Sequence, residues 1–299
     1  MEIQQTLYEW MIKYTPQREW IERRGVLVWI AEVFTSLGAG LYLVSLYFNS
    51  LPGMLVAWII IVTLKIPLHI IYFGKPLRFW RTIFPFTSAW KTSWFTRGVT
   101  ATVIFSGAGF LQLCLTYWLP GTAWEILFKV IAGASVFVVG IYSGFIMSYC
   151  RSVPFWNSAL LPLIFIFFGI NDGFALIMAI GLGGGQVDIM AAEAGSRVLL
   201  IVSALIITTY LWNQTYVSAT AKESVKELVK GYLAPVFWIG IVVFGIVIPL
   251  VVSVISLFAG ELSSPLLITA IAFHTLSAFA LKYCLLKAGV HEPLLPLSS

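Results

Sequence analysis

Six ionisable side chains of this chain, Glu32, Lys65, His69, Asp172, Arg197 and His274, sit inside long apolar runs. A charge there costs at least a few kcal/mol, so each is a candidate for function. Glu32 falls about two turns into the first run, and Lys65 and His69, four residues apart on the second, share one helix face. Asp172 follows Asn171 late in the fifth run, Arg197 opens the sixth and His274 lies midway through the eighth. A carboxylate, an imidazole and an amine can hold or pass a proton beside a redox molecule or along a path. Glu32, Lys65, His69 and Asp172 therefore form a candidate proton path. The alternative for Glu32 with Lys65 is a buried ion pair that fixes helix register. Asp172 and Arg197 read as an interfacial pair or as snorkelling groups.

Other chemistries lack their residues. Three cysteines, Cys114, Cys150 and Cys284, form no CxxC pair, and all lie in or at apolar segments, so they read as packed thiols. The sequence has no metal-ligand spacing and no Ser/His/Asp constellation, so the expectation is no metal site and no catalytic residue of its own. Its histidines are His69, His274 and His291. A haem held across two spans would have to use His69 with His274, and packed, hydrogen-bonded histidines are the default reading. The expectation is neither haem nor iron-sulfur cluster in this chain.

The elements that must carry these residues follow from composition. Of 299 residues 60% are hydrophobic and 10% charged, with a mean hydropathy of +0.93. A water-soluble globule cannot cover that much apolar side chain. The apolar runs are continuous rather than alternating, which disfavours a transmembrane barrel and predicts helices of about 20 residues. Eight such runs occur, roughly 26–48, 54–73, 98–119, 126–149, 156–181, 197–217, 234–258 and 264–286. The fold class is thus an all-α integral membrane protein, a bundle of eight transmembrane helices. Trp20, Trp29, Trp94, Trp118, Trp124, Trp156, Trp212, Trp238 and Tyr283 fall near the run ends, as interfacial rings do.

An even number of spans puts both termini on one face. Of the 18 Lys and Arg, all but Lys65, Lys129 and Arg197 count to that face, Lys282 among them. The positive-inside rule then places the termini in the cytoplasm. The net charge of +5 is explained by those loops, and nucleic acid is not an expected partner. Residues 1–25 lack the regions of a signal peptide and read as an amphipathic segment at the interface, followed by the membrane domain over 26–286 and a tail over 287–299.

Among the connections, 74–97 is basic and rich in tryptophan, and 218–233 is polar and fits a short helix. Gly181 to Gly195 is glycine-rich and reads as a flexible turn, because it has no P-loop lysine and no strand before it. Ser36 and Gly40, and Gly140 and Gly144, are spaced to let a neighbouring helix approach closely. Tyr142, between the latter two, needs a hydrogen-bond partner in lipid, and a quinone carbonyl is one candidate.

Five strings in order carry a resemblance: GKPLRFWR (Gly74 to Arg81), TSWFTRG (Thr92 to Gly98), IYSGFIMS (Ile141 to Ser148), PFWNSALLPLIF (Pro154 to Phe165) and LKYCLLKAG (Leu281 to Gly289). Together they resemble the NrfD-like membrane subunits of the polysulfide reductase family, from the first span to the tail. The resemblance implies a subunit of a prokaryotic plasma-membrane respiratory complex. Such a subunit anchors a ferredoxin-like, four-cluster iron-sulfur protein, itself joined to a molybdopterin catalytic subunit, and exchanges electrons with menaquinone. The family's quinone pocket uses polar residues of the first span and a tyrosine of the fourth. Tyr142 matches that tyrosine and Glu32 lies in the matching first-span stretch. Many relatives carry His before the Leu-Gly-Arg-Pro turn, whereas this sequence has Tyr72-Phe73-Gly74-Lys75-Pro76 and its His earlier, at His69.

The physics of a quinone site agrees with these residues. It needs an apolar cleft, donors at the carbonyls and a protonatable group near water. Tyr142, Glu32 and His69 are the quinone-binding candidates. Lys75, Arg78, Trp80, Arg81 and Arg97 are the candidates for docking an acidic iron-sulfur partner, the alternative being a plain positive-inside loop. Two other functions compete: a quinone-independent proton-translocating or anchoring subunit, and a secondary transporter. A transporter is expected to show inverted repeats with paired broken helices, and Pro67 and Pro249 do not stand in matching places.

Overall fold

The computed structural model describes residues 13–74, 88–259 and 263–293. A short strand β1 (Thr15–Pro16) precedes α1 (Gly25–Tyr47) and α2 (Leu51–Phe73). A short α3 (Ser88–Thr92) leads into α4 (Trp94–Trp118), α5 (Ala123–Ser148) and α6 (Leu160–Leu182). Then come α7 (Ile189–Val217), the polar α8 (Ala219–Val229), α9 (Val236–Ala259), α10 (Ser264–Lys287) and strand β2 (Val290–His291). Eight of these helices are long and apolar enough to cross a membrane, α3 and α8 being the short ones. The protein is an all-helical multi-pass membrane protein.

Helix starts follow local chemistry. Ser50, Ser93, Thr122, Asp188 and Ser218 each accept from a backbone N–H three residues on, closing one of the free donors of a first turn. The Asp188 cap starts α7 eight residues before the predicted boundary at 197, so the glycine-rich segment shrinks to a turn between Leu182 and Ile189, with Gly184 at φ +93°. The predicted fifth span begins at 156, but Phe155 and Trp156 lie in a buried turn before α6. Trp156 Nε1 donates to the Leu285 carbonyl (2.8 Å), so this ring anchors a loop to α10.

Two prolines shape the helix that carries His69 and the helix that His274 meets. In α2 a π-helical stretch (Ile60–Lys65) precedes Pro67, and in α9 another (Val236–Val247) precedes Pro249. A proline ring clashes with the carbonyl four residues back and has no N–H to give it, so the turn before it widens. Pro249 leaves the Gly245 carbonyl without its usual partner, and that oxygen accepts from His274 Nδ1 at 3.0 Å.

α1 is the central helix, packed against α2, α5, α6 and α10. Its approach to α6 is close because a Cβ on Gly40 would strike the Gly169 backbone and one on Gly173 would strike Gly40. Small residues permit such contact in lipid. At the terminal face β1 pairs antiparallel with β2, Thr15 opposite His291, and Gln17 N donates to the Gly289 carbonyl (2.8 Å). Residues 13–24 therefore form a strand and turns clasped to the end of α10; Trp20 packs on Trp156 with centroids 5.4 Å apart.

Candidate functional site

Three helices bring Glu32 (α1), His69 (α2) and Tyr142 with Ser143 (α5) around one cavity of about 320 Å³. Its remaining walls are apolar or aromatic, among them Trp20, Phe73, Phe95, Ile146 and Leu286. Tyr72 and Phe73 are shared with a second cavity, about 620 Å³, walled by Arg18, Glu19, Glu22, Arg23 and Arg24. The inner cavity is apolar and the outer one charged, and both lie toward the terminal face.

The proton positions in the inner cluster follow from the acceptors. His69 Nδ1 lies 3.1 Å from the Lys65 carbonyl, which can only accept, so Nδ1 carries a hydrogen. Neutral His69 then has its lone pair on Nε2, and the Tyr142 hydroxyl, 3.2 Å away, donates to it. The same Nε2 stands 3.6 Å from Glu32 Oε1, where a protonated ring would meet a carboxylate. Ser143 Oγ donates to Glu32 Oε1 at 2.7 Å, while Glu32 Oε2 is buried and has no hydrogen-bond partner among the described residues. A buried polar atom without a partner in a cavity is an acceptor waiting for a donor.

Tyr142 is held from every side. A Cβ on Gly98 would collide with its ring, so only glycine at that point of α4 lets the phenol lie there. Lys65 Nζ stands 5.2 Å from the ring centroid and donates to Thr102 Oγ1 (2.7 Å), whose own hydrogen goes to the Gly98 carbonyl (2.8 Å). Lys65 is thus bonded to α4 and does not form the predicted ion pair with Glu32. The π-helical stretch ends at Lys65 and turns its side chain toward α4, while Glu32 takes its partners from His69 and Ser143.

The other predicted residues separate. Asp172 is buried in the middle of α6, where it accepts from Ser36 Oγ (2.7 Å) and faces His274 Nε2 (3.3 Å). It is neither interfacial nor paired with Arg197. Arg197 donates to Ser253 Oγ (2.8 Å) and lies 3.9 Å from Glu193. The register of α6 explains this: Asn171 meets Ser196 and Ser203 of α7, and one residue on, Asp172 points to α1 and α10. His69 and His274 are turned to different carboxylates and do not face one another as axial ligands would. Among the described residues no three His, Cys, Asp or Glu side chains converge as a metal site.

Of the docking candidates, Lys75, Arg78, Trp80 and Arg81 lie outside the described residues. Arg97 donates to the carbonyls of Trp90 (3.1 Å) and Lys91 (2.6 Å) and stacks over Trp94, so it also ties α3 to α4. One buried charge was not among the sequence candidates for a site. Lys282, counted above to the basic face, is buried at 2% exposure with Nζ 3.4 Å from the centroid of Phe165. The signal for it was its place inside the eighth apolar run, about two turns after His274.

Comparison with known proteins adds identity to this geometry. A family model described as "Polysulphide reductase, NrfD" matches residues 25–292. The Haemophilus influenzae protein named "Protein NrfD homolog" is 25% identical over 55% of this chain and 52% of its own. The C subunit of the Wolinella succinogenes polysulfide reductase is 27% identical over 50% of each sequence. The Escherichia coli "Protein NrfD" is 42% identical over 14% of this chain and 13% of its own. The match spans about half the length of the first two relatives.

Proposed function

From the premise that the protein belongs to the polysulphide reductase NrfD family, membrane subunits of respiratory oxidoreductase complexes, we propose that it binds a quinone of the menaquinone class in the Glu32–His69–Tyr142 cavity. In this reading it exchanges electrons between the quinone pool and a ferredoxin-like iron-sulfur subunit, which serves a molybdopterin catalytic subunit. The termini and the basic 74–97 connection face the cytoplasm by the charge count, and that connection docks the partner.

The carrying observation is the fit of the donor set. A volume of about 320 Å³ with apolar walls suits a ring system, and its polar atoms are confined to one cluster. A bound quinone supplies two-electron, two-proton chemistry. The protein's share is orientation and protons. Tyr142 can turn its hydroxyl from His69 to a ligand oxygen, His69 can take or return that proton at Nε2, and Glu32 Oε2 can accept a hydrogen from a ligand hydroxyl. The charged outer cavity that shares Tyr72 and Phe73 offers a water-facing route for exchange.

The test is Tyr142→Phe in the complex purified from its own membrane, with a water-soluble naphthoquinol as donor. Turnover is expected to fall about 10²-fold, the usual worth of a positioned acid–base group, with subunit composition unchanged. Trp20 lines the cavity, so naphthoquinone should quench tryptophan fluorescence in a saturable way and lose that quenching in Trp20→Phe. Unchanged turnover in Tyr142→Phe together with no saturable quenching would overturn the assignment.

A further inference from the structure

On the outside of the bundle an open groove of about 320 Å³ runs between α4 and α5. Small side chains line it, Ala101 of α4 with Ala134 and Ser135 of α5, and so do Ile104 and Val138. Val103, Ile104 and Phe137 beside it are exposed, as side chains facing lipid are. Arg97 lies in the first turn of α4, at the terminal face, and Ala134 near the middle of α5. The groove therefore descends from the headgroup level into the hydrocarbon.

Its upper end is cationic and aromatic. Arg97 lines it with Trp90 and Trp94, 4.7 Å from the Trp94 ring centroid. Arg97 gives Nε to the Trp90 carbonyl and Nη2 to the Lys91 carbonyl. Neither bond uses Nη1, and a guanidinium has five N–H donors in a planar fork that suits a phosphate. Lys91 itself is exposed at the same end. No acidic residue is among the described residues that line the groove; Glu125 of α5 is paired with Lys129 (2.7 Å). The hydroxyls farther down are spent on their own helices, Thr100 Oγ1 on the Thr96 carbonyl (2.9 Å) and Ser135 Oγ on the Ile131 carbonyl (2.7 Å). One end thus suits an anion and the rest an apolar chain.

We propose that this groove binds an anionic diacyl phospholipid of the leaflet at the terminal face. Arg97 takes the phosphate, and one acyl chain lies over Ala101, Ala134 and Ser135. Basic pockets at the ends of membrane helices attract such headgroups. The lipid braces the corner between α3 and α4 from outside, where Arg97 already joins the two helices. Trp94 stacks flat on Phe145 of α5, with centroids 4.0 Å apart, while the next residue, Phe95, lines the Glu32–His69–Tyr142 cavity. The first turn of α4 therefore separates the two sites. Arg97, a docking candidate by sequence, is in this reading a lipid ligand, and the site stands whether or not the inner cavity takes a quinone.

The test uses the complex purified from its own membrane and a phosphatidylglycerol with a diazirine in one acyl chain, beside the phosphatidylcholine analogue. After illumination, adducts are located by peptide mass spectrometry. They are expected on the stretches 101–104 and 134–138, about fivefold more with the anionic lipid, the worth of one basic residue at a charged membrane surface. Arg97→Gln should erase that preference and leave adducts from both lipids. Ala134→Leu, on an exposed face of α5, keeps the charge but fills the groove, and should remove the adducts of both lipids. If Arg97→Gln loosens α3 and does not assemble, the headgroup comparison in the parent and the Ala134→Leu result decide. Equal labelling by the two lipids in the parent, or a preference that survives Arg97→Gln, overturns the proposal. So does a groove without adducts, the result if a partner subunit or a quinone tail covers it.

Discussion

At Tyr142 one phenol meets two other helices, and the serine beside it meets a third. Its hydroxyl donates to His69 of α2, its ring lies under Lys65 of α2 and against Gly98 of α4, and Ser143 beside it bonds Glu32 of α1. The Lys65 amine in this packing has Thr102 as its acceptor, which makes a local test of the network. Thr102→Val keeps the volume and removes the acceptor, so it should destabilise by about 1–3 kcal/mol, the usual cost of an abandoned buried donor. Lys65→Met with Thr102→Val should recover most of that loss in thermal unfolding, since replacing both partners by apolar groups is nearly neutral.

At the scale of elements, prolines and glycines decide where the polar side chains meet. Pro67 and Pro249 widen the turns that precede the two histidine contacts, and Gly40, Gly169 and Gly173 bring α1 and α6 close enough for Ser36 to reach Asp172. Gly98 is the sharpest case, because its missing Cβ is occupied by the Tyr142 ring. Gly98→Ala should cost about 1–3 kcal/mol through overpacking and lower quinol turnover by moving the phenol. Gly107, nine residues on in α4, has open space at its Cβ, and Gly107→Ala should stabilise by up to about 1 kcal/mol with turnover unchanged. Comparing the two by unfolding and turnover separates helix propensity from site geometry.

At the scale of the whole molecule, the segments before α1 and after α10 meet at the face that holds the charged outer cavity. The hydrogen bond from Lys287 holds the Glu22 carboxyl below its ordinary value, with burial opposing and the charges of Lys287, Arg18 and Arg23 adding to the lowering. A carboxylate whose folded value is depressed contributes stability that is complete above its ordinary 4.5 and is lost as pH falls through the lowered value. The clasp should therefore loosen only in acid. Hydrogen exchange at the Gln17 amide, bonded to Gly289, should rise below that range relative to a pH-matched Lys287→Met variant, in which the clasp is already loosened at neutral pH. Equal exchange in both proteins at every pH would separate the clasp from this pair.

The sequence by itself determined the solvent, the helical class and eight spans, because hydrocarbon admits only helices or closed barrels, the apolar runs do not alternate, and each crossing needs a run of set length. It also singled out Glu32, His69, Asp172 and Tyr142, since a polar group inside such a run is conspicuous. Which of these meet was decided by tertiary structure alone. Partners 73 or 111 residues apart, as Tyr142 with His69 and Ser143 with Glu32, depend on helix rotation and on turns widened at proline, and neither is written in a local period. Lys282 shows the limit most clearly. Near a helix end a lysine reads as topogenic by position, and only the packing of α10 against α1 and α6 turns it inward, where the Phe165 ring rather than water faces its charge.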